Sequence, residues 1–212
     1  MFQRFALALL FFVAMPTWAQ ALFQEGKNFI RLAKPVPVAT GQKIEVLEIF
    51  SYACIHCYEM EPHLSRWNAV KPANAELRYV HAAGSATWEL FARGFYAAEA
   101  LKVKDKTHAA LFQENFVKRA QLNSAEKIAD FYARYGVDRA KFLATMTSFG
   151  VNTKVNRGNA IMRDVGVDST PAIVVDGKFL LNIDRSSIPS FAQIGPLINF
   201  VVDLAAKERV KK

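Results

Sequence analysis

Apolar positions along the chain change their period several times, and each change marks an element. "IEVLEIF", from Ile44 to Phe50, is a β-branched and apolar run suited to a buried strand. From Cys57 to Val70 the period lengthens, and Met60, Leu64 and Trp67 fall at helical spacing. "AELRYVHAA", from Ala75 to Ala83, predicts a second strand. Between Thr87 and Arg163 strand signals vanish. Segments opening "TWELFARG", "KTHAALFQ", "SAEKIADF", "DRAKFLAT" and "NTKVNRGN" instead carry apolar residues three and four apart. Ser124 and Asp138 are placed as helix N-caps there, and Gly136, Gly150 and Gly166 as helix stops. Strand character returns at Ala172 to Val175 and Lys178 to Asn182, which flank Asp176-Gly177, a pair suited to a type I′ hairpin turn. An amphipathic helix is predicted from Pro189 to Arg209. Ahead of the first strand, "LFQEGKNFIRLAKPVPVA" reads as an extended or loop arm restricted by Pro35 and Pro37.

The order is therefore strand, helix, strand, helical block, β-hairpin, helix. It points to an α/β chain resembling a thioredoxin-like fold with an inserted α-helical domain. The expected division is residues 22–85, a helical insert at 86–160, and a second part at 161–212. Residues 1–21 read as a cleavable signal peptide. Arg4 forms the positive start, Phe5 to Met15 the apolar run, and Pro16 breaks it before small-residue cleavage sites after Ala19 or Ala21. The run is shorter than the roughly 20 residues a transmembrane helix needs. Export to a periplasm is the expectation, and it places the protein where disulfides persist.

Charge changes the picture little. The formal net charge of +8 loses one unit with Arg4, and the remaining cations are dispersed apart from the terminal "KERVKK". No basic stripe interleaved with aromatics suggests a nucleic-acid partner.

Cysteine content changes it more. The chain has 2 cysteines, Cys54 and Cys57, in "FSYACIHCYEMEP" between the first strand and the first helix. A loop this short constrains little of the unfolded chain, so a structural staple is a weak reading. A tetrahedral zinc or copper site needs four ligands, and no second C-x-x-C or H-x-x-H pair exists. C-x-x-C beside this strand and helix pattern reads as a redox motif.

Thiol–disulfide exchange proceeds through the thiolate. A helix start offers Cys54 unpaired backbone N–H groups and the positive end of the macrodipole. His56, if close to the sulfur, adds to this; its alternative is an exposed first-turn residue. Lowering a thiol pKa by about three units stabilises the thiolate by roughly 4 kcal/mol and makes the disulfide more oxidising by on the order of 90 mV. Cys57, one turn on, is the expected resolving thiol. His63, His81 and His108 read as ordinary surface or core histidines.

Two further positions stand out. Pro171 directly precedes an apolar strand, so Thr170-Pro171 is either a cis peptide or a trans proline opening the strand. Glu48 lies within "EVLEIF", either buried as a proton shuttle for Cys57 or turned outward to pair with Arg78.

"VLEIFSYACIHCYEMEP", "STPAIVVDGKFLLN", the leader and the helical block together resemble the DsbA family of periplasmic thiol:disulfide oxidoreductases, over essentially the whole mature chain. The resemblance implies a nucleophile at Cys54, a resolving Cys57, and a His56 that destabilises the disulfide. It implies a cis-Pro loop at Thr170-Pro171 that pairs with substrate backbone, and a buried acid at Glu48. No cofactor is implied beyond the Cys54–Cys57 disulfide. The implied partners are reduced, unfolded secreted proteins and a DsbB-like membrane quinone reductase; a monomer is expected. The chain departs from the family in having Ile55 where proline is familiar, and Thr170 where valine is more usual. Pro62, five residues after Cys57, sits as a helix-kinking proline does in thioredoxin. The competing readings are a periplasmic disulfide reductase or isomerase, a copper-binding or delivery protein, and a chaperone-like binding module.

Overall fold

The computed structural model describes residues 23–210, so the expected leader lies outside the described residues. A five-stranded sheet forms the centre, in the order β1-β5-β4-β2-β3. Its strands are β1 (Phe29–Arg31), β2 (Ile44–Phe50), β3 (Ala75–His81), β4 (Ala172–Val175) and β5 (Phe179–Leu181). β2 runs parallel to β3, with Glu48 opposite Tyr79, and antiparallel to β4, with Glu48 opposite Ile173. Every residue of β2 is buried, which is why it reads as a continuous apolar run without alternation.

The helices are α1 (Ile55–Val70), α2 (Ala86–Ala100), α3 (Lys104–Phe116), α4 (Ala125–Ala133), α5 (Arg139–Met146), α6 (Phe149–Val165) and α7 (Ile194–Val210). On one face of β2, Ile44 and Val46 share a core with Met60, Leu64 and Trp67 of α1 and with Leu197, Ile198 and Val201 of α7. On the other, Leu47 and Ile49 pack with Val80, Val174 and Val165. The helices between β3 and β4 enclose a third cluster, including Phe95, Phe112, Ile128, Tyr132 and Phe142, which reaches the active end of the sheet through Phe50 and Tyr52. Burying each large apolar side chain of α1 contributes about 1.5–3 kcal/mol, enough to carry the helix through the internal Pro62.

Several expectations change. The arm before β2 contains strand β1, because Phe29 is buried edge-on against Phe179 while its backbone pairs with β5. Gly150 does not stop a helix. It lies in the first turn of α6, which is capped by the Ser148 hydroxyl accepting from the Val151 N–H at 3.3 Å. Gly166 is a stop, in the left-handed conformation at φ 77°. The last helix begins at Ile194, after a 3-10 turn at Phe191–Gln193. β5 is shorter at both ends than Lys178 to Asn182. Asp176 (φ 54°) and Gly177 (φ 62°) both take positive φ, as a type I′ turn requires. The register sets Val175 opposite Phe179, one residue longer than a strict two-residue loop.

Candidate active site

Cys54 is the N-cap of α1, with extended backbone (φ −99°, ψ 115°) and its sulfur accepting from the Cys57 N–H at 3.3 Å. Serine hydroxyls do this work at α2, α4 and α6. Here a sulfur occupies the acceptor position, where the helix N-terminus favours negative charge. The tight turn from β2 is set by the Cys54 N–H donating to Ser51 C=O at 3.0 Å, and the Ala53 N–H to the Ser51 hydroxyl at 3.2 Å.

Both cysteines are free thiols. A hydrogen bond from the Cys57 side chain, then Thr170 and the backbone N–H groups of Cys57 and His56, outweigh burial and lower the Cys54 pKa to about 6. Cys57 has no exposed surface. Burial, its bond to Cys54 and the nearby Glu48 raise its pKa, so it stays a thiol while Cys54 ionises. A dithiol split this way supplies one nucleophile and one protonated partner.

His56 contributes differently from the expectation. Its imidazole is exposed, with Nδ1 3.1 Å from Glu59 Oε2, and its pull on the sulfur comes through the backbone N–H. Ile55, at the helix start, is also exposed.

The Thr170-Pro171 bond is cis. It lies against Cys54, whose thiol donates to the Thr170 carbonyl at 3.3 Å. Beside Pro171 opens a groove of about 770 Å³ lined by His56, His63, Ile183, Ile188 and Phe191 among others. The cis-proline loop thus borders both the reactive sulfur and this groove.

Glu48 is 1% exposed and does not pair with Arg78, whose guanidinium lies 3.8 Å from Glu45. The alternation along β2 puts Glu45 and Glu48 on opposite faces. Burial, then the Glu61 carboxylate and Cys54, raise the Glu48 pKa well above the usual range.

Three neighbours were not singled out from the sequence as active-site groups. Glu61 is buried on α1 one turn from Cys57. His108 of α3 lies 3.3 Å from Glu61 Oε2 and 2.8 Å from the Tyr52 hydroxyl. His81 accepts from the Tyr52 N–H at 3.0 Å, and burial lowers its pKa to about 3, so it is a neutral core histidine holding the motif's turn. The available signal was a polar residue inside an apolar stripe: Glu61 beside Met60 and Leu64, His108 beside Leu111 and Phe112. Among the described residues no cluster of three or more histidine, cysteine or acidic side chains could hold a metal ion.

Residues 80–193 match the DSBA-like thioredoxin domain. The thiol:disulfide interchange protein DsbA of Pseudomonas aeruginosa is 34% identical over 167 residues, 79% of each chain. The chain belongs to the DsbA family. Its similarity to the Azotobacter vinelandii DsbA is 31% over 180 residues, covering 83% of this chain and 84% of that protein. The crystal structure of Pseudomonas aeruginosa DsbA superposes with a TM-score of 0.81 at 30% identity, covering 90% of this chain and 97% of the other. As a DsbA-family member with a thioredoxin fold, the protein is a thiol:disulfide oxidoreductase acting on substrate thiols.

Proposed function

We propose that the protein runs as a dithiol oxidase, donating a Cys54–Cys57 disulfide to reduced, exported proteins in the periplasm, with no cofactor beyond that disulfide. The observation that carries the direction is the unequal thiol pair: Cys54 lowered to about 6 at a helix N-cap, Cys57 raised by burial. Anything that stabilises the reduced form makes the disulfide easier to give away.

In the first step a substrate thiolate attacks the Cys54 sulfur. The Cys54–Cys57 bond breaks, and Cys57 leaves as a thiolate that takes a proton from the Glu48 carboxyl. A second substrate thiolate then attacks the substrate sulfur of the mixed disulfide, releasing an oxidised substrate and the Cys54 thiolate. Two electrons pass from the substrate to the enzyme. Of the two substrate protons, one restores the Glu48 carboxyl through solvent, replacing the proton passed to Cys57, and the other stays in solvent because Cys54 ends as a thiolate.

Thr170 and Pro171 present backbone to an extended substrate, whose apolar side chains enter the groove beside Pro171. Return to the disulfide requires an oxidant, for which a DsbB-like membrane quinone reductase is the partner of matching chemistry.

Equilibration of the mature protein with glutathione tests the direction. An oxidase holds its disulfide weakly and is reduced at low glutathione; a tightly held disulfide would make it a reductase or isomerase. Replacing Cys57→Ala should leave Cys54 able to attack a disulfide but unable to resolve it, so a stable mixed disulfide with a model peptide accumulates. Absence of that adduct would overturn the assignment of Cys54 as nucleophile.

A further inference from the structure

The exchange steps use Cys54, Cys57 and Glu48, yet a buried ionic contact sits directly behind them without a part in the chemistry. Glu61 is the only charged side chain on the buried face of α1, between Cys57 and Leu64. It meets His108, which projects from α3 of the helical block, with Oε2 and Nε2 3.3 Å apart. Both residues are 7% exposed. The imidazole is packed among the rings of Phe50 (5.1 Å), Tyr79 (4.8 Å) and Phe112 (5.4 Å), so water screens the contact poorly. Its other nitrogen, Nδ1, is 2.8 Å from the Tyr52 hydroxyl in the turn that carries the cysteines. Neither Glu61 Oε2 nor His108 Nε2 has a hydrogen-bond partner, so the two meet at ion-pair distance without an aligned hydrogen bond, and any coupling between them is one of charge.

Glu48 shares this interior. One of its oxygens, Oε2, has no hydrogen-bond partner. Other groups around it set few charges against the pair. From β3 come Tyr79 and the neutral His81; the motif turn supplies Tyr52, and α4 supplies Tyr132. From α3, Lys104 lies 5.0 Å over the Tyr79 ring and pairs with Asp105 at 3.0 Å. β4 offers only Ile173 opposite Glu48. In the oxidised form, where Cys54 carries no thiolate, the charge on Glu61, and whether His108 cancels it, is therefore the main adjustable field on Glu48.

We propose that Glu61 and His108 are positioning residues for the proton step, an ion pair that sets how tightly Glu48 holds the proton it passes to Cys57. The inference rests on Glu48 being that donor. Two buried carboxylates repel each other, so a bare Glu61 makes the pair bind a proton more tightly, while an imidazolium beside Glu61 relieves this. The helical block thereby acts on the redox step as well as covering it.

The test is a carboxyl carbon-13 titration of the oxidised full-length mature protein, the Glu48 signal assigned by its loss in Glu48→Gln. Alongside it runs the pH profile of disulfide reduction by dithiothreitol. Removing the imidazole in His108→Gln should move both midpoints up by about half a pH unit or more, roughly a threefold change in the proton-dependent rate. Glu61→Gln should move them down, and the double variant should resemble Glu61→Gln. A merely structural pair would lower stability and leave the midpoints in place. Midpoints that stay fixed, or move the same way in both variants, overturn the proposal. If His108→Gln does not fold, the isosteric Glu61→Gln alone decides it by the direction of its shift. Should Glu48→Gln leave the rate profile unchanged, the donor assignment fails instead, a different outcome from fixed midpoints with a responsive Glu48.

Discussion

Acidifying the dithiol form from pH 8 to pH 6 should remove most of the stability that its Cys54 thiolate provides. The folded pKa of Cys54 is about 6 against an ordinary value of 9.0. A depressed acid contributes stability that is fully present above the unfolded value and lost as pH falls through the folded one. Linkage with these values gives about 2.7 kcal/mol at pH 8, about 1.4 kcal/mol at pH 7 and about 0.4 kcal/mol at pH 6. These are upper figures, because a sulfur in a residue 9% exposed still meets some water. Cys57 has the opposite sign: its raised pKa gives stability below 9.0 that is lost only above it, outside this window. The buried carboxyl groups are present in both redox forms, so only their coupling to the Cys54 and Cys57 thiols survives in the difference. Urea unfolding of oxidised and reduced protein at pH 6, 7 and 8 should therefore show the reduced form gaining on the oxidised by about 2 kcal/mol, equivalent to roughly 50 mV of added oxidising strength. A difference that stays flat across this range would refute the reading of Cys54 as a stabilised thiolate.

Glu48→Gln should separate stability from chemistry. The raised pKa of Glu48 means the wild type loses stability as pH rises above 4.5, by up to about 1.4 kcal/mol per unit until the folded group ionises. The variant should escape that loss, so its advantage in urea unfolding grows between pH 4.5 and 7 while exchange at pH 7 slows. Gly177→Ala should cost roughly 2 kcal/mol or more in thermal unfolding, because an added Cβ would run into the Val36 carbonyl at a position already at φ 62°. An unchanged melting temperature would show that the β4–β5 hairpin and the arm before β2 can part without consequence.

The disulfide chemistry was legible because the signals that carry it are local. "IEVLEIF" followed by C-x-x-C and a helical stripe places a thiol at a helix start, and the cap geometry follows from the next three residues alone. The same holds for Ser124, Asp138 and the Asp176-Gly177 turn, each of which acts through near neighbours. Gly150 misled for the converse reason: Ser148, two residues earlier, begins a new helix and overrides the glycine. β1 was hidden because three residues have no period to read, and its strand geometry comes from a partner about 150 positions away.

The sequence by itself determined the order of elements, the isolation of one reactive pair, and a polar Glu48 in an apolar strand. Only the tertiary structure decided where the neighbours of that pair lie. Thr170 reaches the Cys54 sulfur across 116 positions and His108 reaches Tyr52 across 56. It also turned the His56 imidazole to Glu59 and put Glu48 on the face away from Arg78's partner, Glu45. Periodicity and capping propagate over a helical turn or a strand pair, whereas the field at a buried sulfur is summed over everything within several ångströms, whatever its place in the chain.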